Sequence, residues 1–110
     1  MKTLRIMLDF TEGPLWKDFY DMDTKELCTG IEVVDNDEEL QKLNDEIQDL
    51  YGSYYKFDYH DLPCYFDEEQ EKKDKDKMLF LLGKLKDRLN EINDGSFVID
   101  DQETERVKNL

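Results

Sequence analysis

Cysteine, glycine, histidine, cationic residues and long apolar runs are all scarce in this chain, and each shortage argues against a class of function. Its two cysteines, Cys28 and Cys64, lie far apart and outside any CxxC pattern, so neither a thiolate metal ribbon nor a disulfide-dense secreted scaffold fits. Reduced thiols in a cytoplasmic protein are the simpler reading. No stretch approaches the roughly 20 apolar residues of a membrane span, and the N-terminus lacks the apolar run of a signal peptide. The five glycines are scattered and form neither GxGxxG nor GxxxxGK, so a phosphate-cradling loop is missing. Against 29 Asp and Glu stand only 15 Lys and Arg, a formal charge of −14. Nucleic acid and anionic membrane need cations to offset their own charge, so neither is expected as a direct partner.

What is present is enough for one folded domain over residues 1–110. At 40% charged residues and a mean hydropathy of −0.85 the composition leans towards disorder, but 12% aromatic residues and regularly spaced leucines supply the apolar surface that disordered chains lack. Leu4 to Phe10 reads as a buried first strand ending at the turn signal Gly13-Pro14. Leu15 to Tyr20 is a second strand or a loop, and the β-branched run Gly30 to Val34 reads as a further strand. Asn36 followed by Glu39 has the form of a capping box. Behind it, Leu40, Leu43, Ile47, Leu50, Tyr51 and Tyr54 recur at helical spacing, with Asp45, Glu46 and Asp49 on the opposite face.

Pro63 argues against a helix through the aromatic stretch from Tyr55 to Phe66. A second helix is expected from Asp67, with Gln70 at the capping-box position, to a stop at Asn93-Asp94-Gly95, its core row being Leu82, Leu85, Leu89 and Ile92. Its first turns, Glu68 to Lys77, hold no apolar residue. They either project into water or are held by i,i+4 pairs such as Glu69 with Lys73 and Glu71 with Lys75. Ser96 to Ile99 reads as the last strand, and residues 100–110 as a mobile polar tail with room for a short helix. The expected fold class is α+β: a small sheet of three to four strands with two main helices packed on it.

Residues that do chemistry are few. His60, between Tyr59 and Asp61, has the company of a general acid or base but no adjacent nucleophile motif, so a hydrogen-bonding loop histidine is the plainer reading. The acidic runs at residues 35–39 and 67–69 lack the ligand spacing and central glycine of an EF-hand and lie where helix caps belong. No catalytic residue, metal or cofactor is therefore expected. What remains is surface for recognition: Tyr54, Tyr55, Tyr59 and Tyr65 are interleaved with Asp58, Asp61 and Asp67 around His60, large rigid contacts beside carboxylates able to pair with arginine. Tyr51 and Tyr54 continue the helical stripe and read equally well as core. Trp16 is either a core anchor or a binding hot spot.

The small acidic chain, its opening strand, the segment Asp9-Phe10-Thr11-Glu12-Gly13-Pro14-Leu15-Trp16 and the Asp/Tyr-rich middle together resemble the immunity proteins of bacterial contact-dependent growth inhibition and related polymorphic toxin systems. The resemblance is one of overall character across most of the chain. It implies a non-enzymatic cytoplasmic inhibitor that binds one cognate basic toxin domain, commonly a nuclease. Glu12 and Trp16 are counted with the Tyr/Asp loop as candidate contact residues from this sequence alone. Two alternatives of other classes stand beside it. One is a phage-type DNA mimic that inhibits a DNA-binding enzyme, and the other is a small metal-binding protein or enzyme built on His60.

Overall fold

A computed structural model describes residues 2–9, 12–17, 19–56 and 65–110 of the chain. The class is α+β. In chain order the elements are β1 (Lys2–Ile6), β2 (Phe19–Asp21), β3 (Glu26–Cys28), α1 (Glu32–Asp35), α2 (Glu38–Gly52), β4 (Tyr55–Lys56), β5 (Tyr65–Phe66), α3 (Glu68–Lys73), α4 (Lys75–Ile92), β6 (Phe97–Asp101) and α5 (Thr104–Lys108).

Among the described residues the strands are divided into three two-stranded ladders. The central one pairs β1 with β6 in parallel, Leu4 opposite Ile99. Past β1 the chain doubles back: Ile6 bridges Leu15 and Asp9 bridges Glu12, with Met7 N–H donating to Pro14 C=O at 3.0 Å and Trp16 N–H to Arg5 C=O at 3.1 Å. The 12–16 segment therefore lies against the other edge of β1, giving the sheet a rudimentary third member. Gly13 is required there. Its φ is +83°, and a Cβ would come within 1.8 Å of the Met7 carbonyl oxygen.

Against this ladder pack α2 and α4. Leu40, Leu43, Ile47 and Tyr51 of α2 and Met78, Leu81, Leu82, Leu85 and Leu89 of α4 are buried with Leu4, Ile6, Leu15 and Phe97. These are the apolar stripes at helical spacing. Ile92, the last residue of the expected α4 row, is only partly buried.

The segment Gly30 to Val34 corrects the strand expectation. Asp35 accepts hydrogen bonds from Thr29 N–H, Thr29 Oγ1 and Gly30 N–H, which turns the chain, and Glu32–Asp35 makes one helical turn that buries Ile31 and Val34 together. Packing of two residues three apart overrides their β propensity. The cap of α2 is also displaced by one residue: Asp37, not Asn36, holds that position and makes no side-chain cap. Its carboxylate instead takes both Nε and Nη2 of Arg88 at 2.9 Å, and Glu39 stands 3.3 Å from the same guanidinium. Two acidic residues that read as local capping thus clamp α4 to the start of α2.

The cap at Asp67 is as expected, its Oδ1 accepting from Gln70 N–H at 3.0 Å. The helix behind it breaks at Asp74 into α3 and α4. Among the described residues, the expected Glu69–Lys73 and Glu71–Lys75 pairs do not form. Glu71 is buried, at 5% exposure, and meets Arg106 Nη1 at 3.0 Å, so α3 does not simply project into water. Residues 100–110 complete β6 and form α5, with Val107 buried and Gln102 N–H bonded to Ile6 C=O at 3.1 Å. The segment read as a tail thus closes the end of the sheet.

Candidate functional site

Four of the ten residues singled out for partner binding, Asp58, Tyr59, His60 and Asp61, lie outside the described residues. So does Cys64. Tyr65 contributes its backbone to β5, pairing with Lys56, and its side chain is outside the description. The other five fall in two separate places.

Tyr54, Tyr55 and Asp67 follow the C-terminal end of α2, in the turn after it, in β4 and at the N-cap of α3 respectively. Tyr54 is fully buried, and Tyr51, Tyr54, Tyr55 and Phe66 form a cluster of mostly edge-on rings with centroids 5.0 to 6.0 Å apart, an arrangement that suits the ring quadrupoles. Arg106 covers Tyr51 at 5.9 Å. Tyr54 therefore offers no surface to a partner, and the Asp67 carboxylate is occupied as a helix cap.

Beside the rings lies a buried charge network. Glu103 accepts from Arg106 Nε at 2.6 Å and from Leu8 N–H at 2.9 Å, while Glu71 holds Arg106 Nη1. The Tyr54 hydroxyl and Arg106 Nη2 have no hydrogen-bond partner among the described residues. Burial, with the Tyr55 hydroxyl, pushes the Tyr51 phenol up. Burial, with Asp74 and Glu71 nearby, does the same to Tyr54. Both remain neutral throughout the physiological range.

Glu12 and Trp16 belong to a second place, an open groove of about 330 Å³ between the 12–17 segment, the outer side of α2 and the β2–β3 hairpin. Its position is set by two α2 amides: Leu15 N–H donates to Asn44 Oδ1 at 2.9 Å, and Gln48 Nε2 donates to Gly13 C=O at 3.0 Å. Trp16, Leu27 and Leu15 supply the apolar lining, with Glu12, Asp45 and Lys17 among the charged residues. Lys17 Nζ is drawn to Gln41 Oε1 at 3.2 Å. Glu12 and Asp45 are exposed and meet no cation among the described residues.

The hairpin beside this groove was not singled out by sequence. Phe19, Tyr20, Met22 and Leu27 are 56%, 50%, 78% and 57% exposed, an unusual concentration of large apolar side chains in so short a ribbon. The register places Phe19 opposite Cys28, Tyr20 opposite Leu27 and Asp21 opposite Glu26, so alternation puts Tyr20 and Leu27 on one face. On the other, Phe19, Cys28, Asp21, Glu32 and Asp35 line a second depression. Cys28 is a free thiol that desolvation pushes above its ordinary pKa, a backbone hydrogen bond from Gly30 offsetting part of the effect, so it carries little thiolate. The sequence signal for this surface existed in the aromatic content of residues 16–20 and the apolar Met22 and Leu27, but nothing local says which will be covered.

Among the described residues, no group of three or more His, Cys, Asp or Glu is placed to hold a metal ion, and no helix is long and apolar enough to cross a membrane. Compared with known proteins, the chain matches no family model, no curated protein and no solved structure.

Proposed function

We propose that this chain is a non-catalytic inhibitor of the immunity-protein kind, acting in the cytoplasm by binding a cognate basic toxin domain, in the simplest case a nuclease. The observation that carries the reading is how the charge is distributed. Arg88 is held by Asp37, Glu39 and Glu91, and Arg106 by Glu71 and Glu103. Two of the chain's three arginines are thus engaged by the protein's own carboxylates. Asp45, Glu46 and Asp49 on the outer face of α2 are exposed and meet no cation among the described residues. A net −14 left this way creates a negative field over the surface, which steers a cationic partner into encounter and competes for the Lys and Arg that a nuclease uses to hold phosphate.

The test is co-expression with a toxin domain encoded beside the gene, read as growth. Rescue by the full chain supports inhibition, and a 1:1 complex whose affinity falls steeply with salt supports the electrostatic route. Failure to rescue, with the chain folded and expressed, rejects the reading for that pair.

A further inference from the structure

We infer that the groove between Trp16, Leu27 and α2 is a receptor for arginine side chains of a basic protein partner, with the exposed β2–β3 hairpin as its wall. The inference deepens the inhibitor reading and rests on it for the partner's identity, while the chemistry of the groove stands on its own geometry. Three features converge.

The first is shape. About 330 Å³ of open space is at the small end of the range for ligand pockets, roughly 300–1,000 Å³, which suits one or two long side chains better than an extended peptide.

The second is the lining. A guanidinium is planar and weakly hydrated, and it stacks on an indole face while its stem lies along aliphatic surface. Trp16 and Leu27 supply those two surfaces, and exposed Tyr20 lies cross-strand from Leu27, outside the lining itself.

The third is charge. Glu12 and Asp45 approach the groove from two different elements, the turn after β1 and the body of α2. Carboxylates can engage the fork of a guanidinium bidentately, a geometry an ammonium cannot reproduce. Among the described residues the one cation in the lining, Lys17, is drawn to Gln41, so their share of the groove is two carboxylates against one ammonium. Apolar side chains rimmed by carboxylates that meet no cation among the described residues have the composition of a protein-binding hot spot, and here arginine is the complement to both parts.

Trp16 is the chain's only tryptophan, so its emission reports on the groove directly. A hexa-arginine peptide titrated into the full chain is expected to change Trp16 emission saturably, and hexa-lysine to bind more weakly. The Glu12→Gln/Asp45→Asn double variant is expected to lose about tenfold in affinity. Glu68→Gln/Glu69→Gln, which removes the same charge from exposed positions on α3, is expected to change it little. All four side chains are exposed, and a thermal melt of each variant checks the fold. Equal losses in both double variants, or no change in emission, overturn the groove as a specific receptor and leave only general attraction to an acidic protein.

The toxin assay separates this inference from the inhibitor reading. Wild-type rescue that survives intact in Glu12→Gln/Asp45→Asn, with unchanged toxin affinity, overturns the groove while inhibition stands. A specific arginine response without rescue rejects inhibition and keeps the groove.

Discussion

Residues 51–66 and residues 16–28 both combine aromatic side chains with carboxylates, yet the described rings of the first are turned inward and several apolar side chains of the second are turned outward. Tyr51 and Tyr54 continue the apolar stripe of α2, so their rings arrive on the side of the helix that already faces the core, and Phe66 is brought against them by the β4–β5 pairing. The hairpin has no such support. Its two short strands pair with each other, and a two-stranded ribbon has two faces but no layer of its own to cover either. Aromatic content therefore does not by itself mark a binding surface. The position of the rings relative to the nearest amphipathic element decides.

That contrast can be broken by mutation. Tyr54→Ala is expected to cost the most, about 3–5 kcal/mol in urea unfolding, as for other large aromatic truncations in a core. A cost below about 1 kcal/mol would mean that the ring is not part of the interior. Tyr54→Phe sharpens the point, because the buried hydroxyl meets no well-formed hydrogen-bond partner among the described residues and carries a desolvation penalty. This variant is expected to be as stable as the wild type or more so.

Next in size, Arg106→Ala strands Glu71 and Glu103 as buried carboxylates and removes the cation over Tyr51. Because Arg106 is itself 38% exposed, solvent screens part of the loss. The expected destabilisation is about 2–3 kcal/mol, below the range for a fully buried pair. Chemical denaturation at neutral pH measures it, and a change under about 0.5 kcal/mol would show the network to be ornamental to stability.

The third effect is alkaline. Tyr51 and Tyr54 have folded pKa values raised above the unfolded value of about 10. Above that pH the unfolded chain releases protons that the folded chain keeps, so stability falls as pH rises. It is fully present below about pH 10. Tyr54→Phe removes one of the two groups and should flatten the decline of the urea midpoint above that pH. An unchanged slope would exclude Tyr54 as a contributor.

The smallest effect belongs to the hairpin. Phe19→Ser and Leu27→Ser are expected to shift stability by no more than about 0.5 kcal/mol, since both side chains are already largely in water. Losses near those of Tyr54→Ala would place the hairpin in the core and dissolve the comparison.

Much of the fold could be read locally. The stripes of α2 and α4, the Asp67 cap, the Gly95 stop and the last strand follow from period, capping chemistry and turn residues within a few positions of each other; the first strand follows in part, since β1 is Lys2–Ile6 and not the apolar run from Leu4 to Phe10. Where local reading failed, a distant residue intervened. Asp37 and Glu39 looked like a helix start because they are one, but Arg88, 51 residues away, uses their carboxylates. Glu71 sits in a run without apolar residues, which points to water or to a local pair with Lys75, whereas Arg106, 35 residues on, is its partner and makes its burial tolerable. Of the candidate site, Glu12 and Trp16 were legible and share a groove. Tyr54, equally legible as a tyrosine beside carboxylates, is enclosed, and Leu27 is an apolar residue whose exposure nothing local announces.

The sequence by itself determined the acidic excess, the amphipathic helices, the α+β class and the lack of recognisable catalytic or phosphate-binding motifs, because these depend on composition and on neighbours in the chain. Tertiary structure alone decided which carboxylates are consumed and which are left facing water, and which aromatic rings are covered. Those outcomes depend on ion pairs and packing between residues far apart in sequence, where no periodicity records which groups will meet.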